Sequence, residues 1–148
     1  MSHPNEERLR ELYATFAKGD LQGFLAGCTD DVSFTVPGNT PGSGTFTKPD
    51  FAEWIGGVIG QTGGTFQERV LDVFANDDHA VLLLHHEFDR DGIHREYRTA
   101  HVCTLRGGKI ATWEEQPGSL AEFESAWGVV GGRSRTPPPT LASGDAIG

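Results

Sequence analysis

The hydrophobic positions of this chain follow a helical period at its two ends and a strand period over most of the middle. Leu9, Leu12, Tyr13 and Phe16 recur at helical intervals and predict a helix over residues 4–18. Pro4 suits its first turn, Glu6 and Glu7 suit the positive end of its dipole, and Gly19 supplies the stop. Asp20 is placed to cap a second, shorter helix carrying Leu21, Phe24 and Leu25. Val32, Phe34 and Val36 then alternate with Ser33 and Thr35, a strand ended by Pro37-Gly38. The loop over residues 37–44 is rich in glycine and proline but lacks the Gly-Lys-Ser/Thr ending of a phosphate loop, so no nucleotide role is expected. Pro49 opens a third helix striped by Phe51, Trp54, Ile55, Val58 and Ile59 and weakened by Gly56 and Gly57.

A strand is expected over residues 65–75, with a turn at Asn76-Asp77-Asp78. From His79 to Pro117, apolar and β-branched runs are separated by turn chemistry at Asp91-Gly92 and Gly107-Gly108, which predicts antiparallel strands joined by tight turns. Ser119 can cap a last helix through Leu120, Phe123 and Trp127. The order of elements gives an α+β fold, with helices on one face of a curved sheet.

Composition adds boundaries. At 148 residues the chain fits one domain with a core of its own. A net charge of −9 excludes a nucleic-acid backbone and an anionic membrane surface as partners. No apolar run approaches a membrane span and the first twenty residues are charged rather than signal-like, so a cytoplasmic protein is expected. Cys28 and Cys103 are too few for a disulfide framework and are expected to pack as small hydrophobes. From residue 128 the composition turns to Gly, Ser, Arg and Pro. The expected organisation is a domain over 1–127 and a tail over 128–148 that leans on its own domain or on a neighbour.

Candidate chemistry lies in the middle strands. Alternation places His85 and Glu87 on one face of the first run, Tyr97, His101 and Cys103 on one face of the second, and Trp113 and Glu115 on one face of the third. These faces are expected to converge on a pocket. A carboxylate at Glu115, beside an indole and under apolar walls, should have its pKa raised toward neutrality and act as base on a C–H next to a carbonyl, or as acid on an epoxide oxygen. The plainer alternative is a rim glutamate in solvent or paired with Arg98 or Arg106. His101 and His85 can donate to a developing enolate or alkoxide, or pass a proton; otherwise they are core histidines satisfied by neighbours. Glu87 either orients a histidine or forms a strand-end salt bridge with Arg95 or Arg98. His86 is expected on the opposite face in a structural role. Tyr97 and Tyr13, with Phe34, Val36, Trp54 and Trp113, would line the pocket and select a flat apolar substrate, if they do more than fill the core. Mixed ligation by His85, Glu87, His101 and Glu115 is conceivable, but no tight metal motif occurs, and neither metal nor other cofactor is expected.

An ordered set of short motifs carries a resemblance. It comprises Ala17-Lys18-Gly19-Asp20-Leu21, Asp30-Asp31-Val32, Val36-Pro37-Gly38, Gly63-Gly64-Thr65-Phe66, Asp89-Arg90-Asp91-Gly92, His101-Val102, and Gly108-Lys109-Ile110 before Trp113. Over residues 5–127 the chain resembles the SnoaL-like branch of the NTF2-like superfamily. That resemblance implies a cone-shaped, curved antiparallel or mixed sheet packed by three to four helices, as in cystatin-like folds, and pairing into a homodimer. It also implies kinship with steroid isomerases, polyketide cyclases and limonene-type epoxide hydrolases. The steroid isomerase general base falls on Val36 and its oxyanion-hole aspartate on His101, which excludes that catalytic pair. The epoxide hydrolase Arg-x-Asp falls on His85 and Glu87, and its Trp-x-Asp on Trp113 and Glu115. The resulting expectation is a cofactor-free acid–base enzyme that cyclises, isomerises or opens an epoxide in a small, apolar, oxygenated molecule of polyketide or terpenoid type. Glu115, His101, His85 and Glu87 would carry the reaction. The alternative is a non-catalytic module that binds a small molecule or dimerises.

Overall fold

The computed structural model describes residues 2–130, so the proline-rich part of the expected tail lies outside the described residues. Helix α1 (Pro4–Ala17) and the short α2 (Leu21–Ala26) lead into strand β1 (Cys28–Val36), then β2 (Gly44–Thr47). A single 3-10 turn (Lys48–Asp50) precedes α3 (Phe51–Gly60). Strands β3 (Gln67–Ala75), β4 (His79–Arg90), β5 (Ile93–Arg106) and β6 (Lys109–Pro117) follow, and α4 (Leu120–Trp127) ends the described chain. Asp20 caps α2 by accepting from the Gly23 amide, and Ser119 caps α4 by accepting from the Glu122 amide. The expected helices and strands therefore appear, with one addition. Strand β2 was not foreseen, because it hides at the end of the glycine-rich loop and has only Phe46 half-buried.

The six strands form one sheet in the order β2-β1-β6-β5-β4-β3. Every neighbouring pair is antiparallel except β1 and β6, which run parallel, so the sheet is mixed. Register shifts fall between Cys28 and Ser33, between Val70 and Asp72, and between Thr104 and Leu105. An extra residue in one strand bends it and sharpens its twist, and these irregularities curl the sheet around the helices. The concave face carries the core. Leu82, Leu84 and Phe88 of β4, Cys103 and Leu105 of β5, and Ile110 of β6 are buried there with Val32 and Phe34 of β1. Leu9 and Tyr13 of α1, Phe24 of α2, Phe51 of α3, and Phe123 and Trp127 of α4 press on them from the helical side.

One glycine fixes how closely the loop after β1 approaches α3. A Cβ on Gly42 would stand 2.6 Å from Cγ2 of Val58, and the Gly42 carbonyl accepts the indole N–H of Trp54 at 3.1 Å. Phe34 is fully buried among Phe51, Trp54 and Trp113. Truncating it leaves a cavity that its aromatic neighbours cannot refill. Phe34→Ala should cost about 3–5 kcal/mol, read as a lower denaturant midpoint with an unchanged slope.

Candidate functional site

The concave sheet and the helices do not close completely. Between them lies a cavity with about 70 Å³ open to the centre of a water molecule, room for roughly five waters or one small ring system. Its wall is mostly aromatic and aliphatic: Phe34, Phe51, Trp54, Ile55, Val58 and Phe66 are among the lining residues. Thr40 and six ionisable side chains break that wall: Tyr13, Glu68, His86, Tyr97, His101 and Glu115.

Strand register sets these groups in two rows. In one, Glu68 of β3 stands opposite His86 of β4, which stands opposite Tyr97 of β5. In the other, His101 of β5 stands opposite Glu115 of β6. Four residues separate Tyr97 from His101, so both side chains leave β5 on the same face. Helix α1 brings Tyr13 down onto the second row, and α4 brings Trp127 down onto the first. The Trp113 indole N–H donates to the Tyr13 hydroxyl at 3.0 Å, and that hydroxyl lies 2.6 Å from Nδ1 of His101. The Trp127 indole N–H donates to the Tyr97 hydroxyl at 2.7 Å, and that hydroxyl lies 3.0 Å from Nδ1 of His86.

The rows differ at their carboxylate ends. Nε2 of His86 is hydrogen-bonded to Oε2 of Glu68 at 2.8 Å. Nε2 of His101 stands 3.7 Å from Oε1 of Glu115, too far for a hydrogen bond. Both His101 Nε2 and Glu115 Oε2 are buried without a hydrogen-bond partner. Residual exposure is 3% for His101 and 8% for Glu115, so bulk solvent hardly reaches either. A buried polar group left unpaired costs about 1–3 kcal/mol. The His101 ring and the Glu115 carboxylate thus stand side by side in the cavity wall, each with one atom unpaired.

Burial is the largest influence on the Glu115 carboxyl and opposes its ionisation. The adjoining imidazole of His101, the charge of His86 and the hydroxyl of Thr99 together outweigh it and hold the group below the ordinary value of 4.5. This reverses the expectation from sequence, which weighed the apolar walls and not the two histidines. For His86, burial opposes the charged ring, but the hydrogen bond and charge of Glu68 and the charge of Glu115 raise it above 6.5. Tyr13 and Tyr97 are pushed well above 10.0, chiefly by burial, so both remain phenols. Burial lifts the Cys28 thiol to about 12 and raises Cys103 as well, which leaves neither available as a thiolate nucleophile.

The cavity thus gathers Glu115, His101, Tyr97, Tyr13, Trp113, Phe34, Val36 and Trp54. It does not gather His85 and Glu87. Those two side chains leave β4 on the convex face, where His85 Nε2 lies 2.8 Å from Glu96 Oε1 and 3.7 Å separates its Nδ1 from Glu87. Glu87 also stands 3.7 Å from His94. The phase assigned to β4 was off by one, and an odd-numbered step carries every side chain to the other face. The correct phase is legible in hindsight: Ala80, Leu82, Leu84 and Phe88 form the apolar set, and His86 belongs with them. His86, expected to be structural, therefore faces the cavity. Glu68 and Trp127 were missed as site residues. Glu68 carries no signal of its own, because a lone glutamate in a strand rich in charge reads as solvated.

The family comparisons concern the same part of the chain. A model of the SnoaL-like domain matches residues 9–113. The chain belongs to the SnoaL-like family. An uncharacterized protein of Mycobacterium tuberculosis is 30% identical over 121 residues, covering 80% of this chain and 92% of the relative. Among solved structures, Bal32a from a soil-derived mobile gene cassette superposes with a TM-score of 0.78 at 24% identity, over 84% of this chain and 96% of its own. TerC, co-crystallized with polyporic acid, superposes with a TM-score of 0.71 at 24% identity, over 83% and 97%. These structural likenesses establish the NTF2-like, cystatin-like fold.

The lowered Glu115 and the raised His86 make stability depend on pH at both ends. A carboxyl whose folded value is depressed contributes stability that is complete above its unfolded value and lost as pH falls through the folded one. Raised His86 contributes stability that is complete below the ordinary imidazole value and lost as pH rises through its folded value. Denaturant midpoints followed with pH should fall at both extremes. Glu115→Gln should flatten the acid limb and His86→Gln the limb above 6.5.

Proposed function

We propose that the protein is a cofactor-free acid–base enzyme acting on a small, largely apolar, oxygenated molecule. The observation that carries this reading is His101 Nε2 standing 3.7 Å from Glu115 Oε1, with that nitrogen and the other carboxylate oxygen, Oε2, lacking hydrogen-bond partners, in a largely apolar cavity. Glu115, ionised at neutral pH, is the base. It removes a proton from carbon next to a carbonyl, or from water or a hydroxyl directed at an epoxide. His101 is the donor to the oxygen that gains charge. Both groups sit where water is scarce, so a hydrogen bond made there counts for more than one in solvent. Tyr13 holds the imidazole of His101 in place through its other nitrogen.

The apolar lining supports a substrate of polyketide or terpenoid type, and Phe34, Trp54, Trp113 and Phe51 favour a flat one. TerC, a protein of the same fold, was crystallized with polyporic acid, a flat oxygenated molecule. Cyclisation, isomerisation and epoxide opening share the same demand: one base and one donor on a single oxygenated ligand. Pairing of two copies belongs to the same reading. Leu71, Phe74 and Leu83 are exposed large apolar residues of β3 and β4 and support it.

General acid–base help of this kind is worth about 10²–10⁴-fold. Small ketones and epoxides, acetophenone and styrene oxide among them, provide the assay through exchange of α-hydrogen in deuterated water and through ring opening. Glu115→Gln should lower turnover by about 10²-fold or more while leaving ligand affinity within a few-fold. An equally active Glu115→Gln variant, or a wild-type protein that binds the panel and turns over none of it, would reject the enzyme. Mass in solution should double at high concentration; a strictly monomeric mass would remove the pairing.

A further inference from the structure

The cavity contains the same sequence of groups twice. Trp113, Tyr13, His101 and Glu115 form one series of indole, phenol, imidazole and carboxylate; Trp127, Tyr97, His86 and Glu68 form the other. The two imidazoles meet edge to face, with ring centroids 5.8 Å apart. The proposed function uses only the first series.

An indole nitrogen can only donate. Each tyrosine oxygen therefore spends a lone pair on an indole N–H, and its own O–H is free to be given to the histidine Nδ1 beside it. A neutral imidazole that accepts at Nδ1 must carry its hydrogen on Nε2. Both histidines then present Nε2–H toward the carboxylate end of their row. For His86 that hydrogen is donated to Glu68 at 2.8 Å. For His101 it points into the gap before Glu115.

This arrangement also bears on metal binding. Glu68, His86 and His101 offer ligand atoms that lie within 4.8 Å of one another. A metal-bound imidazole needs a free lone pair at the bound nitrogen and, as a rule, a hydrogen donated outward from the other. Where the tyrosine O–H is given to Nδ1, the hydrogen sits on Nε2 and the ring has no lone pair there for an ion. In that tautomer the rings face an oxygen acceptor rather than an ion.

We propose that the second series, Trp127–Tyr97–His86–Glu68, is a further acid–base unit that engages a second oxygen of the substrate. The inference rests on the reading of His101 and Glu115 as the first unit. It narrows the substrate to a flat carbonyl compound bearing a hydroxyl or enol. The carbonyl oxygen accepts from His101 Nε2–H, and the hydroxyl donates to the Glu68 carboxylate. Glu68 stays linked to His86, whose Nε2–H remains on the carboxylate and holds it in place. The proton so released is held by the Glu68 carboxyl and returned when the product forms, so no further reactant is needed. Tyr97 and Trp127 are positioning residues, acting through the ring of His86.

Two measurements test this, and neither reads turnover. The first is the nitrogen-15 spectrum of the imidazoles of the full chain. His86 and His101 should both show the Nε2–H form when neutral. Tyr97→Phe should abolish that preference at His86 and spare it at His101, while Tyr13→Phe should do the reverse. An Nδ1–H form of His86 in the wild type, or no response to Tyr97→Phe, overturns the proposal. The second is binding of the ortho, meta and para hydroxyacetophenones against acetophenone. At least one hydroxy isomer should bind about tenfold more tightly than acetophenone, as a hydrogen bond to a charged group allows. Glu68→Gln should erase that advantage and leave acetophenone unchanged. No advantage for any isomer, equal loss for all ligands in Glu68→Gln, or stoichiometric binding of cobalt(II) in the cavity would each overturn it. Loss of turnover in Glu115→Gln with the Glu68-dependent preference intact separates the first unit from the second.

Discussion

The structure depends on what it costs to hold ionisable groups in a space that is nearly dry. Of the polar groups around the cavity, those of one row satisfy one another from Trp127 through to Glu68. The other row is satisfied from Trp113 to Nδ1 of His101 and then stops, leaving Nε2 and the Glu115 carboxylate opposed but apart. A fold whose net stability is a few kcal/mol cannot carry many such open ends. This one carries two of them in the wall of its cavity, where His101 and Glu115 stand 3.7 Å apart.

The rest of the architecture serves that arrangement. Curling of the sheet by its register shifts turns the inward faces of β3, β4, β5 and β6 toward one hollow. The first and last helices each deliver one aromatic polar group, Tyr13 and Trp127, to a histidine row on the sheet. The loop after β1 and helix α3 close the hollow with Thr40, Gly42, Trp54 and Val58. Helix and sheet are therefore tied together by hydrogen bonds at the same points where the candidate chemistry lies. Changes at these aromatic residues should alter stability and function together.

Much of the fold was legible because periodicity and caps agree along most of the chain. Pro4, Asp20 and Ser119 mark helix starts that the structure reproduces, and the glycine turns mark the strands. Strand β2 escaped because a short edge strand has no apolar alternation to announce it. The candidate site was legible in part. On β5 and β6 the alternating apolar residues around Tyr97, His101, Trp113 and Glu115 gave the phase. On β4 two adjacent histidines fit either phase of the alternation, and only the apolar set of Ala80, Leu82, Leu84 and Phe88 decides for His86. Glu68 and Trp127 come from elements far apart in sequence, and only pairing across the sheet and docking of α4 reveal that they belong together. The direction of the Glu115 shift also needed coordinates, because it is set by which of burial and two nearby imidazoles prevails.

The central claim is that Glu115 stands in its apolar cavity as a carboxylate, ready to accept a proton. The most direct measurement is an isotope-edited infrared spectrum of the free protein at neutral pH, with the Glu115→Gln variant subtracted. The account predicts a carboxylate band assigned to Glu115, shifting toward the protonated form only well into the acid range. A protonated carboxyl stretch from Glu115 at neutral pH would contradict it.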